Sequence, residues 1–317
     1  MDSNDSWTWP KRPTDATEFD QMMDSVDRHL ARRDLTPPQR SLHAIRLISM
    51  ALNLSGITFL GVGVVRGEPF SPSDLLPRVF DWYDETYGER NKIDLSLGYV
   101  VLPLRDTYWT LQIPFGCGVV EPFIDRSLAN VGRQRGTRMH PATLNVLTCL
   151  RGITQAYAEL LSNDELTHVM KAYSRGYVAM RTLGEMRGHQ LFDQAKGDYR
   201  HSVEALSAGD ALSKARWDNA QCAEKIFKGL LAQAGQEFPT SGRRGHDIAH
   251  LGRLISTTFG SSIPNGKLCD IHCPAAIRYG EINVDMHEAW TSHAALIDTL
   301  LHLRTIALTL RENTSQP

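Results

Sequence analysis

The 317 residues are enough for about two domains at the usual ~100–200 residues each, and 42% hydrophobic with 22% charged residues describes a soluble globular chain able to bury a sizeable core. A formal net charge of −2 excludes a strong nonspecific hold on nucleic acid through bulk charge and leaves that role to a local basic face. The stretch MDSNDSWTWPKRPTD is polar and acidic where a signal peptide is basic and then apolar, and no apolar run approaches the ~20 residues of a membrane span, so a cytoplasmic protein with no membrane partner is expected.

Residues 1–14 read as a disordered or loosely docked tail. A helix over 15–33 follows, with Phe19, Met22, Val26 and Leu30 on one face. Pro37-Pro38 stops it, and Thr36 with Gln39 forms a capping box that starts the next helix, carrying Leu42, Ile45, Ile48 and Leu52. Residues 57–66, ITFLGVGVVR, are β-branched and read as a strand or tight turn. Ser71 to Asp74 opens a third helix, which Pro77 would strain or bend. Tyr99–Leu104 and Thr107–Ile113 flank Arg105-Asp106 as a β-hairpin, and Pro103 and Pro114 mark its strands as edges. Arg133, Arg135 and Arg138 follow in a loop that is either solvated or in contact with phosphate.

From Pro141 the pattern is helical. A helix over 141–161 carries Val146, Leu150, Ile153, Tyr157 and Leu160, and Ser162 with Glu165 caps the next, whose stripe is Leu166, Met170, Tyr173, Tyr177 and Met180. Gly184 and Gly188 mark a break, and a domain boundary is expected there, dividing 1–185 from 186–317. The second part reads as four helices, about 189–207, 211–234, 246–259 and 285–311, the last opened by an Asp285/Glu288 capping box. Four antiparallel helices with short or medium connections make an up-down bundle. The fold class is therefore mainly α: a four-helix bundle preceded by a helical domain with a small β-hairpin.

Five cysteines stand at 117, 149, 222, 269 and 273. Cys269, His272 and Cys273 are closely spaced, but no second ligand pair accompanies them, so reduced thiols and no metal or other cofactor are expected. In the 211–234 helix, Gln221, Lys225 and Lys228 lie at i, i+4 and i+7, and Glu224 precedes Lys228 by four in the favourable order for an ion pair. Glu224, Lys225 and Lys228 thus form either a solvated, internally paired face or a charged wall toward a groove holding a phosphate. His246, His250 and Arg253 repeat the same spacing in the next helix, after Arg243-Arg244. Histidines near a helix start suit phosphate binding or proton exchange, or simply fix the loop.

Several of these segments, in order, resemble the HEPN family of small helical domains that bind nucleotides or cut RNA. Trp217 to Leu231 is similar to the family's second helix, Gly245-His246-Asp247-Ile248 to the opening of its third, and Ala276-Ile277-Arg278-Tyr279 to the Arg-containing segment before its last, Ala- and Leu-rich helix. The resemblance spans about 190–311 and implies a HEPN-like bundle, a homodimer, and a setting in bacterial toxin–antitoxin or antiviral defence. Catalytic members carry Arg, four to six residues, then His at the start of the last helix, and cleave RNA without metal. Here eight residues separate Arg278 from His287, whereas Arg244 and His250 satisfy the spacing but sit at the third helix. Arg244, His250, Arg278 and His287 are the candidate catalytic residues, with His293 a further proton carrier. Glu224, Lys225, Lys228, His246 and Arg253 are the candidate phosphate- or nucleotide-binding residues. Three functions stay open: a nucleotide- or RNA-binding module, a metal-independent endoribonuclease, or a non-catalytic dimerisation module.

Overall fold

A computed structural model of the chain describes residues 10–54, 67–91, 94, 96–115, 120–128, 142–240, 242–279 and 281–314. It consists of two compact units, Met1–Asp94 and Leu95–Pro317. The strand or turn expected at 57–66 and the arginines at 133, 135 and 138 lie outside the described residues.

In the first unit, α1 (Ala16–Ala31), α2 (Pro37–Ala51) and α3 (Pro72–Tyr87) follow the expected boundaries. Asp15 caps α1 by accepting from the Glu18 amide at 2.9 Å, and the Gln39 side chain accepts from the Thr36 amide at 2.9 Å at the start of α2. Their apolar stripes meet in a core of Met23, Val26, Leu30, Ile45, Ile48, Leu75, Val79 and Tyr83. One polar node pins the three helices together. Asp27 of α1 is buried and accepts from Arg40 of α2 at 2.8 Å and from the Tyr87 hydroxyl of α3 at 2.5 Å. A buried carboxylate is tolerable only with such charge-assisted partners. Residues 10–14 dock on this unit: Pro13 is buried and Arg12 donates to the Phe70 carbonyl at 3.2 Å.

The second unit begins with β1 (Ser96–Leu104) and β2 (Thr107–Pro114), an antiparallel hairpin with Leu104 opposite Thr107, as the sequence predicts. Arg105 takes a left-handed φ of 57° in the turn. A second, parallel pair joins β3 (Val120–Phe123) to β4 (Ala142–Asn145). Here the expected helix over 141–161 is corrected: β4, a 3₁₀ turn at Val146–Cys149 and a short α4 (Gln155–Leu160) take its place. Asn145 is the cause. Its fully buried side chain accepts from the amides of Asp125 (3.1 Å) and Leu147 (3.2 Å) and donates to the Asp125 carbonyl (2.9 Å). A local amide that serves backbone groups in this way competes directly with helix formation.

Helices α5 (Asn163–Glu185), α6 (Gln190–Ala208), α7 (Leu212–Gln233), α8 (Gly242–Gly245), α9 (Ile248–Phe259), α10 (Asn265–Ile271), α11 (Ala275–Arg278), α12 (Met286–His302) and α13 (Arg304–Thr314) complete the unit. Ser162/Glu165 and Asp285/Glu288 form the expected capping boxes. Arg105 hydrogen-bonds Glu165 and holds that carboxyl down to about 2. The third expected helix starts at 248 rather than 246, because Asp247 caps it. The fourth is interrupted at Leu303, and the preceding loop contains α10, whose Leu268 and Ile271 are buried.

The division after Asp94, instead of near 185, follows from how the hairpin is held. Its register turns the polar backbone groups of Tyr99, Val101 and Pro103 away from β2. No third strand covers them among the described residues; side chains do. His293 of α12 accepts from the Val101 amide at 3.1 Å, and Trp290 donates to the Val101 carbonyl at 3.0 Å. Tyr199 of α6 donates to the Tyr99 carbonyl at 2.7 Å, and His168 of α5 bonds the Pro103 carbonyl at 3.1 Å. Buried strand edges need such partners, so the hairpin belongs with α5, α6 and α12. Overall, the chain is mainly helical with a small antiparallel hairpin. Among the described residues no helix is long and apolar enough to cross a membrane.

Candidate functional site

Helix α7 sits at the middle of the second unit, in contact with α6, α9, α11 and α12. Ala223, Ile226, Phe227, Leu230 and Leu231 are buried on it. A separate stripe, Trp217, Gln221, Glu224 and Lys228, follows the i, i+4, i+7, i+11 spacing and carries the polar and aromatic chemistry.

Glu224 is buried and gathers three donors. Lys228 reaches its Oε1 at 2.7 Å, His246 Nδ1 reaches its Oε2 at 3.0 Å, and Gln221 lies at 3.4 Å. Lys228 is itself buried, with 9% of its side chain exposed, so its charge is matched by Glu224 rather than offered to solvent. Removing one member of such a pair costs about 3–5 kcal/mol, because the other stays buried and uncompensated. Lys225 diverges from Lys228. It turns toward α6 and pairs with Asp198 at 2.5 Å. Burial pushes the Asp198 carboxyl above the usual carboxylate range, and Lys225 opposes that rise. Gln221, Lys225 and Lys228 therefore do not present the common face expected from their spacing, and both lysine charges are answered within the protein.

His246 lies before α9, with 58% of its side chain exposed. Asp247 caps α9 through a 2.9 Å bond from the His250 amide, which holds its carboxyl below the usual carboxylate range. That carboxylate occupies the helix N-terminus, the position an external anion would otherwise take. His250 is half-buried in the first turn; Arg253 and Arg244 are exposed. Arg278, at the end of α11, is exposed and lies over the Trp217 ring at 4.7 Å and near the Tyr279 ring at 5.9 Å. Tyr279 is 71% exposed. His287 is exposed in the first turn of α12, 5.9 Å from the Trp290 ring.

The structure thus brings Glu224, Lys228 and His246 together, and Arg278 with Trp217. Among the described residues no hydrogen bond or ion pair joins Arg278 to His287 or Arg244 to His250. His293 is corrected from proton carrier to structural group: it is 1% exposed, its Nε2 accepts from the Val101 amide, and burial pushes its pKa down to about 4. Among the described residues no group of three or more His, Cys, Asp or Glu side chains is placed to hold a metal ion; Cys269 is exposed and Cys273 buried. Sequence reasoning missed the partners Asp198 and Trp217. Asp198 is distant in sequence and carries no periodic signal. Trp217 was legible, since it lies seven residues before Glu224 on the same stripe.

No family model, curated protein or solved structure matches the chain.

Proposed function

We propose that the second unit is a HEPN-like helical module that binds single-stranded RNA or a nucleotide without cleaving it. The observation that carries this reading is the Arg278 guanidinium over the Trp217 ring, with Tyr279 exposed beside it. Exposed aromatic and guanidinium planes are what unpaired bases stack on, each stack being worth about 1–3 kcal/mol. Seven residues along α7 from Trp217, about 10 Å at the helical rise, stands Glu224 with the exposed His246 ring on it. One stripe of one helix therefore backs a base-stacking surface at one end and an imidazole at the other. The order of α6, α7, α9 and α12 supports the HEPN-like assignment, and that resemblance in turn implies a homodimer and a role in bacterial defence. The binding reading is favoured over the nuclease because eight residues separate Arg278 from His287 and the Arg244/His250 pair sits at the third helix, both outside the catalytic pattern, and over a purely structural module because Arg278 and Tyr279 are exposed.

The test is fluorescence anisotropy with a labelled single-stranded uridine decamer in EDTA. Arg278→Ala and Tyr279→Ala are expected to weaken binding about tenfold. Lys225→Ala is expected to change it little, because Asp198 already answers that charge. Absence of binding by the wild-type protein overturns the reading. Cleavage of the decamer that disappears in a His250→Ala/His287→Ala variant replaces it with the endoribonuclease.

A further inference from the structure

The geometry around His246 points to a protonation-gated phosphate contact, which rests on the binding reading above: we propose that His246 recognises a phosphate of the bound RNA or nucleotide only as imidazolium, because Glu224 locks its neutral tautomer the wrong way round.

The lock follows from the buried pair behind the ring. Glu224 Oε1 takes the Lys228 ammonium at 2.7 Å, and a carboxylate paired in this way is an acceptor only. His246 Nδ1 lies 3.0 Å from Oε2 of the same carboxylate, so Nδ1 must carry a proton. A neutral imidazole holds one proton. With that proton committed to Glu224, the neutral ring offers a bare, acceptor Nε2 on its other side. A phosphate oxygen is also an acceptor, so the two lone pairs oppose one another. The alternative neutral tautomer, with hydrogen on Nε2, would require Glu224 to donate, and a protonated Glu224 would leave Lys228 buried without its counter-charge. Only the imidazolium satisfies both sides, donating from Nδ1 to Glu224 and from Nε2 to phosphate.

The surroundings are consistent with this role. From α7, Glu224 meets the ring at 3.0 Å, Lys228 holds the other oxygen of that carboxylate at 2.7 Å, and Gln221 joins the carboxylate at 3.4 Å. On its own stretch of chain are Arg244 of α8 and the α9 cap Asp247, whose carboxylate is committed to the His250 amide and is approached electrostatically by Arg253 and His272. The ring keeps 58% of its side-chain surface exposed, so Nε2 is reachable from solvent. The ligand class is therefore a nucleotide or single strand with a base against Arg278 and Tyr279 and a phosphate at His246.

The experiment measures the dissociation constant of the labelled uridine decamer between about pH 5.5 and 8.5 at fixed ionic strength, which brackets histidine titration. Wild-type affinity is expected to fall about five- to tenfold across that range. In His246→Gln, a change at an exposed side chain that spares the fold, the profile is expected to be flat at the weak, high-pH value. In Glu224→Gln the amide can donate to Nδ1, freeing the neutral ring to carry its hydrogen on Nε2, so affinity at high pH is expected to rise toward the acid value. That variant strands Lys228, so its fold is checked by circular dichroism. If it unfolds, nitrogen-15 NMR of wild-type His246 above neutral pH reads the tautomer directly, with hydrogen on Nδ1 expected. An identical pH profile in wild type and His246→Gln, or hydrogen on Nε2 in the neutral ring, overturns the gate while leaving the binding reading intact. No binding of the decamer at any pH overturns both.

Discussion

At the scale of single residues, His246 and His293 do opposite things because of where their nitrogens point. His293 is sealed in the core with Nε2 on a backbone amide, and His246 stands in solvent with Nδ1 on a buried carboxylate. Burial pushes the His293 pKa down to about 4, below the ordinary 6.5 of the unfolded chain. Between those values the unfolded state binds the extra proton, so this contribution to stability is complete above about pH 6.5 and is lost as the pH falls toward 4. The loss amounts to ~3 kcal/mol. Urea denaturation at stepped pH is expected to show it in the wild-type protein and not in His293→Gln, whose amide oxygen can still accept from Val101. His293 lies at helical spacing with Ala289, Leu296 and Leu300, so its burial was legible; its partner could not be read, because Val101 is 192 residues away in sequence. Likewise the Glu224–Lys228 pair was legible from its i, i+4 spacing, whereas the placement of His246 on the same carboxylate depends on the path of the 234–247 connection.

Among elements, periodicity identified those whose stability is local. The three N-terminal helices, the hairpin and the capped starts of α5 and α12 lie where they are expected, since caps, turns and stripes act within a few residues. The helix expected over 141–161 failed where a side chain took over the backbone's hydrogen bonding: Asn145 serves Asp125 and Leu147 from a fully buried position, and an apolar stripe around it gives no warning. The close packing of α6 on α7 also turns on one position. A Cβ added to Gly229 would lie 2.6 Å from Cε1 and 2.9 Å from Cζ of Phe192, which is itself fully buried. Gly229→Ala gains about 1 kcal/mol of helix propensity but overpacks this crossing by about 1–3 kcal/mol. The expected outcome is a net loss of stability of about 1 kcal/mol in urea or thermal unfolding, recovered when Phe192 is also replaced by Leu.

For the whole molecule, the hairpin edge decides the domain boundary. Because Tyr199, Trp290, His293 and His168 complete β1, residues 95–317 are expected to fold as one cooperative unit, and 1–94 separately around the Asp27–Arg40–Tyr87 node. A fragment cut at 186 strips β1 from α6 and α12 and exposes the cores of both, so circular dichroism melting is expected to be sharp for 95–317 and broad or absent for 186–317. The glycines near 185 mark the end of a helix, not of a domain, since they carry no information about a strand edge that α6 and α12 complete. The function proposed for this unit rests on its surface at Trp217, Arg278 and Tyr279. Ultraviolet crosslinking of the full-length protein to the uridine decamer, followed by mass spectrometry of the crosslinked peptides, tests that surface most directly. Crosslinks are expected at Trp217 or Tyr279 and are lost when Arg278 is replaced by Ala; crosslinks confined to residues 1–94, or elsewhere in the second unit and unaffected by Arg278→Ala, would rule out this binding surface.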